Sequence, residues 1–318
     1  MIARFFLVFC TSILLHQMSQ SVSLVLSSGG ARGYAHVGVI EALERNGFSV
    51  SSVTGSSMGA VVGGIYAAGG LEHFKKWACA LERTDVFKLY DFVFSSQGLI
   101  RGERVFKSME EHIADRNIDD LPIPFKALAT DLTTQQEIVI SSGSLYSALK
   151  ASSAIPAMVK PQELGDLELL DGGILSPLPI NFAPKNPGDI IIAVDVNAKI
   201  PYDQSKKSKN EIVEDTKFNL HLEKLAKKWF SKDPQPQSTS KKKHGFFDLM
   251  MMSIDMMQDR ITANILEQYP PDILVQISRG TCSTFDYYKA EKLIAEGSAA
   301  FEAALIKYNH REFAQSHR

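Results

Sequence analysis

Several things are scarce in this 318-residue chain, and each scarcity closes off a class of function. There are three cysteines, Cys10, Cys79 and Cys282. They are too few and too far apart for a disulfide framework or a zinc site. Neither sign of charge dominates: 34 Lys and Arg stand against 36 Asp and Glu, for a net charge of −2. That balance gives no electrostatic case for nucleic acid, and no nucleic-acid partner is expected. The apolar run near the N-terminus, Phe5 to Leu15, falls short of the roughly 20 apolar residues that span a membrane. What remains is an ordinary globular balance, 45% hydrophobic and 22% charged. The length suits one large domain or two small ones with a substantial core.

Residues 1–21 are set apart from the fold. Arg4, the apolar run and the small-x-small ending Ser19-Gln20-Ser21 have the layout of a signal peptide or N-terminal anchor. Phe9 before Cys10 does not suit a lipoprotein cleavage site, where a small residue is expected. Met18 offers a second reading, in which translation starts there and the upstream run is not part of the protein. The first reading implies export or membrane association, the second a cytoplasmic protein.

Val22 to Leu26 is a β-branched apolar run and reads as a buried strand. A glycine-rich loop follows, Ser28-Gly29-Gly30-Ala31-Arg32-Gly33, and then a helix from Tyr34 to Arg45 ending at Asn46-Gly47. Phe48 to Thr54 is a second strand. It leads into Gly55-Ser56-Ser57-Met58-Gly59 and a helix over Ala60 to Ala68. Alternation of this kind predicts an α/β fold with a parallel sheet. Both glycine loops leave their strands at the carboxyl end, where such sheets bind ligands.

Downstream, helices are predicted over 71–81, 101–116, 146–153, 246–268 and 287–308. Strands are predicted over 125–131, 137–141, 167–170, 189–196 and 273–277. The stretch 87–97 reads as aromatic-rich and irregular. The expected organisation is a core over 22–198, a polar mobile insertion or lid over 199–245, and C-terminal elements over 246–318 that complete the domain. The helix at 246–268 holds Met250, Met251, Met252, Met256 and Met257. Its apolar residues crowd more than one face, so it reads first as a buried helix and second as an adaptable apolar surface. The lysines at 206–209 and 241–243 read as a solvated linker or as contacts to anionic headgroups.

Gly-x-Ser-x-Gly between a strand and a helix is the context of a nucleophile elbow, with Ser57 at the sharp turn. The bland alternative is a Gly/Ser turn capping a helix. A nucleophilic serine needs a base and fixed donors for the oxyanion. The loop from Gly29 to Arg32 can supply backbone N–H donors at a helix N-terminus, with Arg32 anchoring it. It lacks both common nucleotide-loop spacings, so a phosphate site is the lesser reading. The base is the harder question. His221, His244, His310 and His317 come late enough for a conventional triad, but none follows a predicted strand. His36 and His73 read as packing or surface residues. Asp171 stands at a strand end before Gly172-Gly173. An apolar setting could raise its pKa enough for it to serve as base, although Asp-Gly-Gly is also a common turn.

Taken in order, these motifs resemble the patatin-like phospholipase family from about Val22 to Asn197. The family pattern is Gly-Gly-Gly-x-Arg/Lys-Gly, then Gly-x-Ser-x-Gly, then Asp-Gly-Gly/Ala. The flanks Tyr34-Ala35-His36-Val37-Gly38-Val39 and Ala151-Ser152-Ser153-Ala154-Ile155-Pro156 fit as well. The resemblance implies a three-layer α/β/α fold and a Ser57–Asp171 dyad acting without histidine, metal or cofactor. It implies Gly29, Gly30, Ala31 and Arg32 around the oxyanion, with Gly33, Gly55, Gly59, Gly172 and Gly173 in support. It also implies a phospholipid or other acyl-ester substrate, and a lipid substrate calls for peripheral contact with a membrane. Ser28 departs from the pattern, since it stands where the first glycine usually is. A general serine esterase and a non-catalytic lipid-binding member stay open as alternatives.

Overall fold

The computed structural model describes residues 19–89, 102–202 and 246–316. The signal-like stretch up to Met18, most of the aromatic stretch and nearly all of the polar insertion lie outside the described residues. The strands are β1 (Gln20–Leu26), β2 (Phe48–Ser56), β3 (Phe125–Asp131), β4 (Glu137–Ile140), β5 (Gln162–Leu164), β6 (Leu167–Asp171), β7 (Ile190–Ala198) and β8 (Ile273–Ser278). They form one sheet in the order β5-β6-β3-β2-β1-β7-β8, with β4 also on β3. The run β3-β2-β1-β7-β8 is parallel throughout. The pairings made by β4, β5 and β6 are antiparallel. The sheet is thus mainly parallel. β7, predicted as a central strand, is interior, flanked by β1 and β8.

The helices are α1 (Ala35–Arg45), α2 (Met58–Ala67), α3 (Leu71–Cys79), α4 (Arg83–Leu89), α5 (Glu103–Glu110), α6 (Leu145–Ser152), α7 (Phe246–Gln268) and α8 (Ala290–Ser316). Strand alternation sorts side chains to two faces. Val22, Leu24 and Leu26 of β1, Ile192, Val194 and Val196 of β7, and Ile273, Val275 and Ile277 of β8 join the main core with residues of α1, α2 and α8. Val25 and Ala193 point the other way. There they pack with Leu178 and Ile180 and with Ile265, Leu266 and Leu274, so α7 helps cover the second face. The layers are helix, sheet, helix.

Four local expectations change. β1 starts at Gln20, inside the stretch set apart as a leader, because Gln20 and Ser21 continue the pairing with Phe48 and Ser49. A short helix, α4, occupies 83–89, partly where irregular chain was expected. The helix predicted over 101–116 ends at Glu110. Beyond it Asp115 turns back: its carboxylate accepts from the Tyr146 N–H at 3.1 Å and the Ser144 hydroxyl at 2.7 Å. Finally, the methionine helix is not buried. Leu249, Met252, Met256 and Met257 are 53%, 44%, 61% and 56% exposed. Apolar residues crowd several of its faces and only one of them can meet the sheet. No helix among the described residues is long and apolar enough to cross a membrane.

Candidate active site

Three segments converge at the carboxyl ends of β1 and β2 and at the end of β6. The first is the turn between β2 and α2. Ser57 is held at φ 53°, ψ −125°, a conformation that non-glycine residues adopt only when their surroundings enforce it. The enforcement is visible. The Ser57 N–H donates to Ser152 Oγ at 3.0 Å, and the Ser152 hydroxyl donates to the Leu128 carbonyl at 2.6 Å. The turn also brings Gly59 against the end of β1, where a Cβ would sit 2.3 Å from the Leu26 carbonyl oxygen. Only glycine fits there.

The second segment is the end of β6. Ser57 Oγ donates to Asp171 Oδ2 at 2.6 Å, across 114 residues of chain. Asp171 Oδ1 accepts from the Gly173 N–H at 2.7 Å. Thr130 Oγ1 donates to the Asp171 carbonyl, and the Asp171 N–H donates to the Ala154 carbonyl. Gly172 permits this approach, because a Cβ there would lie 2.0 Å from the Leu128 carbonyl oxygen. Asp171 is buried, and burial pushes its carboxyl up to about 6, against the opposing pull of the bonds from Ser57 and Gly173. Among the described residues no cation is bonded to it.

The third segment is the glycine loop. Ser27 and Ser28 tie it down through N–H donation to the carbonyls of Val194 and Pro177. Arg32 is buried under it. Its Nε donates to Asn197 Oδ1 at 2.9 Å and its Nη1 to the Cys282 carbonyl at 3.2 Å, while Asn197 Nδ2 donates to the Ser28 carbonyl. Arg32 therefore anchors the loop to β7 and to the turn after β8. Gly29 and Gly30 line the cavity that holds Ser57 and Asp171. Their N–H groups have no acceptor among the described residues. Ala31 differs from the expectation: it is not among the residues lining that cavity, and its N–H donates to the Thr284 carbonyl at 2.8 Å. Gly33 lies against Met58, and Gly55 against the backbone of Gly59 and Ala60.

The histidines stand apart. His36 is fully buried, bonded through Nε2 to the Ser27 carbonyl, and burial pulls its imidazole down to about 4. His73 and His310 are exposed. His221, His244 and His317 lie outside the described residues.

Two cavities lie on either side of Ile155. The one at the dyad leaves about 470 Å³ between its walls, counting its open mouth. It is roofed by Met251, Ile254, Asp255 and Gln258 of α7, and Gln258 Nε2 donates to the Gly173 carbonyl at 2.9 Å. The other is mostly apolar and, counting its open mouth, leaves about 1050 Å³ of space between its walls. Its walls include Met58, Val61, Phe74, Val105, Phe106 and Met109. Ile155 lines both cavities, and Met58 directly follows Ser57.

Sequence reading alone missed Ser152, Asn197 and Gln258. Ser152 lies in the Ala151–Pro156 flank that was legible as a motif. Asn197 and Gln258 have no local signature, since a strand end and a long helix bring them in from afar.

A family model described as patatin-like phospholipase matches residues 24–184. An uncharacterized NTE family protein of Mycobacterium tuberculosis is 32% identical over 90% of this chain and 92% of its own length. Patatin-like phospholipase domain-containing protein 6 of Homo sapiens is 31% identical over 58% of this chain and 14% of its own. Lysophospholipase NTE1 of Scheffersomyces stipitis is 31% identical over 57% of this chain and 12% of its own.

Proposed function

The chain belongs to the patatin-like phospholipase family, and on that premise we propose that it is a lipid acyl hydrolase of phospholipase A or lysophospholipase type. Ser57 is its nucleophile and Asp171 its base. The observation that carries this reading is the 2.6 Å bond from Ser57 Oγ to a buried, unneutralised carboxylate whose proton affinity is raised toward neutrality. A base works best when its pKa lies near the working pH.

In the first half-reaction Ser57 Oγ attacks the acyl carbonyl carbon as its proton passes to Asp171 Oδ2. The carbonyl oxygen becomes an oxyanion, held by the N–H groups of Gly29 and Gly30. Collapse expels the alcohol, which takes the proton from Asp171, and leaves an acyl-Ser57 ester. Water then adds to that ester, giving its proton to Asp171. The second collapse releases the carboxylic acid and returns the proton to Ser57 Oγ.

The apolar cavity beside Met58 and Ile155 supports a long acyl chain rather than a small soluble ester. The exposed methionine face of α7, on the helix that roofs the dyad, supports contact with a lipid surface. The name of the Scheffersomyces stipitis relative points the same way. The test is hydrolysis of p-nitrophenyl acyl esters and lysophospholipid by wild type, Ser57→Ala and Asp171→Asn, with fluorophosphonate labelling. Both variants should lose turnover while staying folded, and labelling should require Ser57. Full activity in Asp171→Asn would remove the dyad. Absence of both labelling and ester hydrolysis would favour a non-catalytic lipid-binding role.

A further inference from the structure

Ser28 stands where the family pattern begins with glycine, and its hydroxyl has a place in the site. The residue is 4% exposed, and its Oγ has no hydrogen-bond partner among the described residues. Buried hydroxyls left unpaired are costly and uncommon in native structures. This one is held firmly all the same, because both backbone groups of Ser28 are bonded: its N–H to the Pro177 carbonyl at 2.9 Å, its carbonyl by Asn197 Nδ2 at 2.7 Å. The hydroxyl faces the aspartate turn. The point that a Cβ on Gly173 would occupy lies 2.9 Å from Ser28 Oγ and 2.9 Å from Asp171 Oδ1. Ser28, Ser57 and Asp171 line the same cavity.

We propose that the Ser28 hydroxyl holds the hydrolytic water of the second half-reaction against Asp171. The inference rests on the reading of Ser57 and Asp171 as nucleophile and base. In the first half-reaction Asp171 receives its proton directly from Ser57. In the second it must receive one from water, and a water needs at least two polar partners to be held in place. The Asp171 carboxylate is one and Ser28 Oγ is the other. The water oxygen forms the new bond to the acyl carbon, its proton goes to Asp171, and the breaking bond is the one from that carbon to Ser57 Oγ. The oxyanion is served by the Gly29 and Gly30 N–H groups, so the Ser28 hydroxyl has no part in acylation.

The test separates the two half-reactions in the full-length protein. Enzyme in excess is mixed with a p-nitrophenyl acyl ester. Release of p-nitrophenolate reads acylation, release of carboxylic acid reads deacylation, and intact mass reads acyl-Ser57. The variants are Ser28→Gly, which restores the family residue, and Ser28→Ala. Both should keep p-nitrophenolate release within about twofold and slow acid release by about tenfold, the loss of one hydrogen bond to a reacting group, with acyl-protein accumulating. Equal slowing of both releases would assign Ser28 to acylation and overturn the proposal, as would unchanged acid release. Absence of an acyl adduct that depends on Ser57 would instead overturn the dyad itself, and this inference with it.

Discussion

Replacing Asp171 by Asn should abolish turnover and stabilise the protein at the same time. The ionised carboxylate is buried with no cation bonded to it among the described residues, and its pKa of about 6 lies about two pH units above the usual carboxylate value of about 3.9. The sign follows from proton uptake. Between these values the folded state binds the proton and the unfolded state does not. The contribution of Asp171 to stability is therefore fully present below about pH 4 and lost as pH rises through about 6. At about 1.4 kcal/mol per pH unit, the ionised group costs about 3 kcal/mol at pH 7 and above. Asn does not ionise, yet its amide can keep a bond to the Gly173 N–H and one to Ser57 Oγ. Urea unfolding at a series of pH values should show Asp171→Asn more stable than wild type at pH 8, with the gap closing toward pH 4. His36 adds a slope of the opposite sign. Its imidazole is held at about 4 against the usual value of about 6.5, so its contribution is present above about pH 6.5 and lost as pH falls through about 4. The two slopes oppose one another in wild type, and the Asn variant should show the acid loss due to His36 uncovered. An Asn variant less stable at pH 8, or a gap that ignores pH, would refute the picture of an unneutralised buried base.

The pH dependence of kcat/KM in wild type should rise through about pH 6 as Asp171 gives up its proton, and a flat profile from pH 5 to 8 would contradict its role. Ser57→Gly should be more stable than Ser57→Ala by about 1 kcal/mol, because glycine tolerates positive φ and alanine does not; denaturant midpoints of the two inactive variants give the comparison. Gly172→Ala should lose several kcal/mol or fail to fold, since its Cβ meets the Leu128 carbonyl oxygen, which thermal unfolding would reveal. Val105→Trp, on the wall of the apolar cavity, should lower kcat/KM for long-chain p-nitrophenyl esters by tenfold or more while leaving the butyrate ester within about twofold. Equal effects on both would detach that cavity from the acyl chain.

What could be read from the residues was what local chain geometry specifies. A glycine between a strand and a helix, or two glycines after an aspartate, marks a place where backbones approach too closely for a side chain. Gly59 against Leu26 and Gly172 against Leu128 are those places in the fold. The apolar runs of β1, β7 and β8 were likewise local and marked them as strands of the sheet. The misreadings were of two kinds. Beyond Glu110 the predicted helix gives way to chain in which Asp115 is bonded to Ser144 and Tyr146, some thirty residues away. The methionine helix satisfied a burial pattern on more faces than the sheet could cover. Both depend on partners that periodicity does not name.

The same distinction explains how the site is built. The Ser57 turn is local, but its strain is borne by Ser152, whose own hydroxyl is fixed on Leu128 of β3. Asp171 continues the strand that pairs with β3 through Ala129. Nucleophile and base are therefore held from the same strand, one through a side-chain bond and the other through a backbone ladder. Their separation is set by β3 rather than by either motif. A substitution that shifts β3 should disturb both together. Leu128, whose carbonyl receives Ser152 and crowds Gly172, is the residue at which the two supports meet.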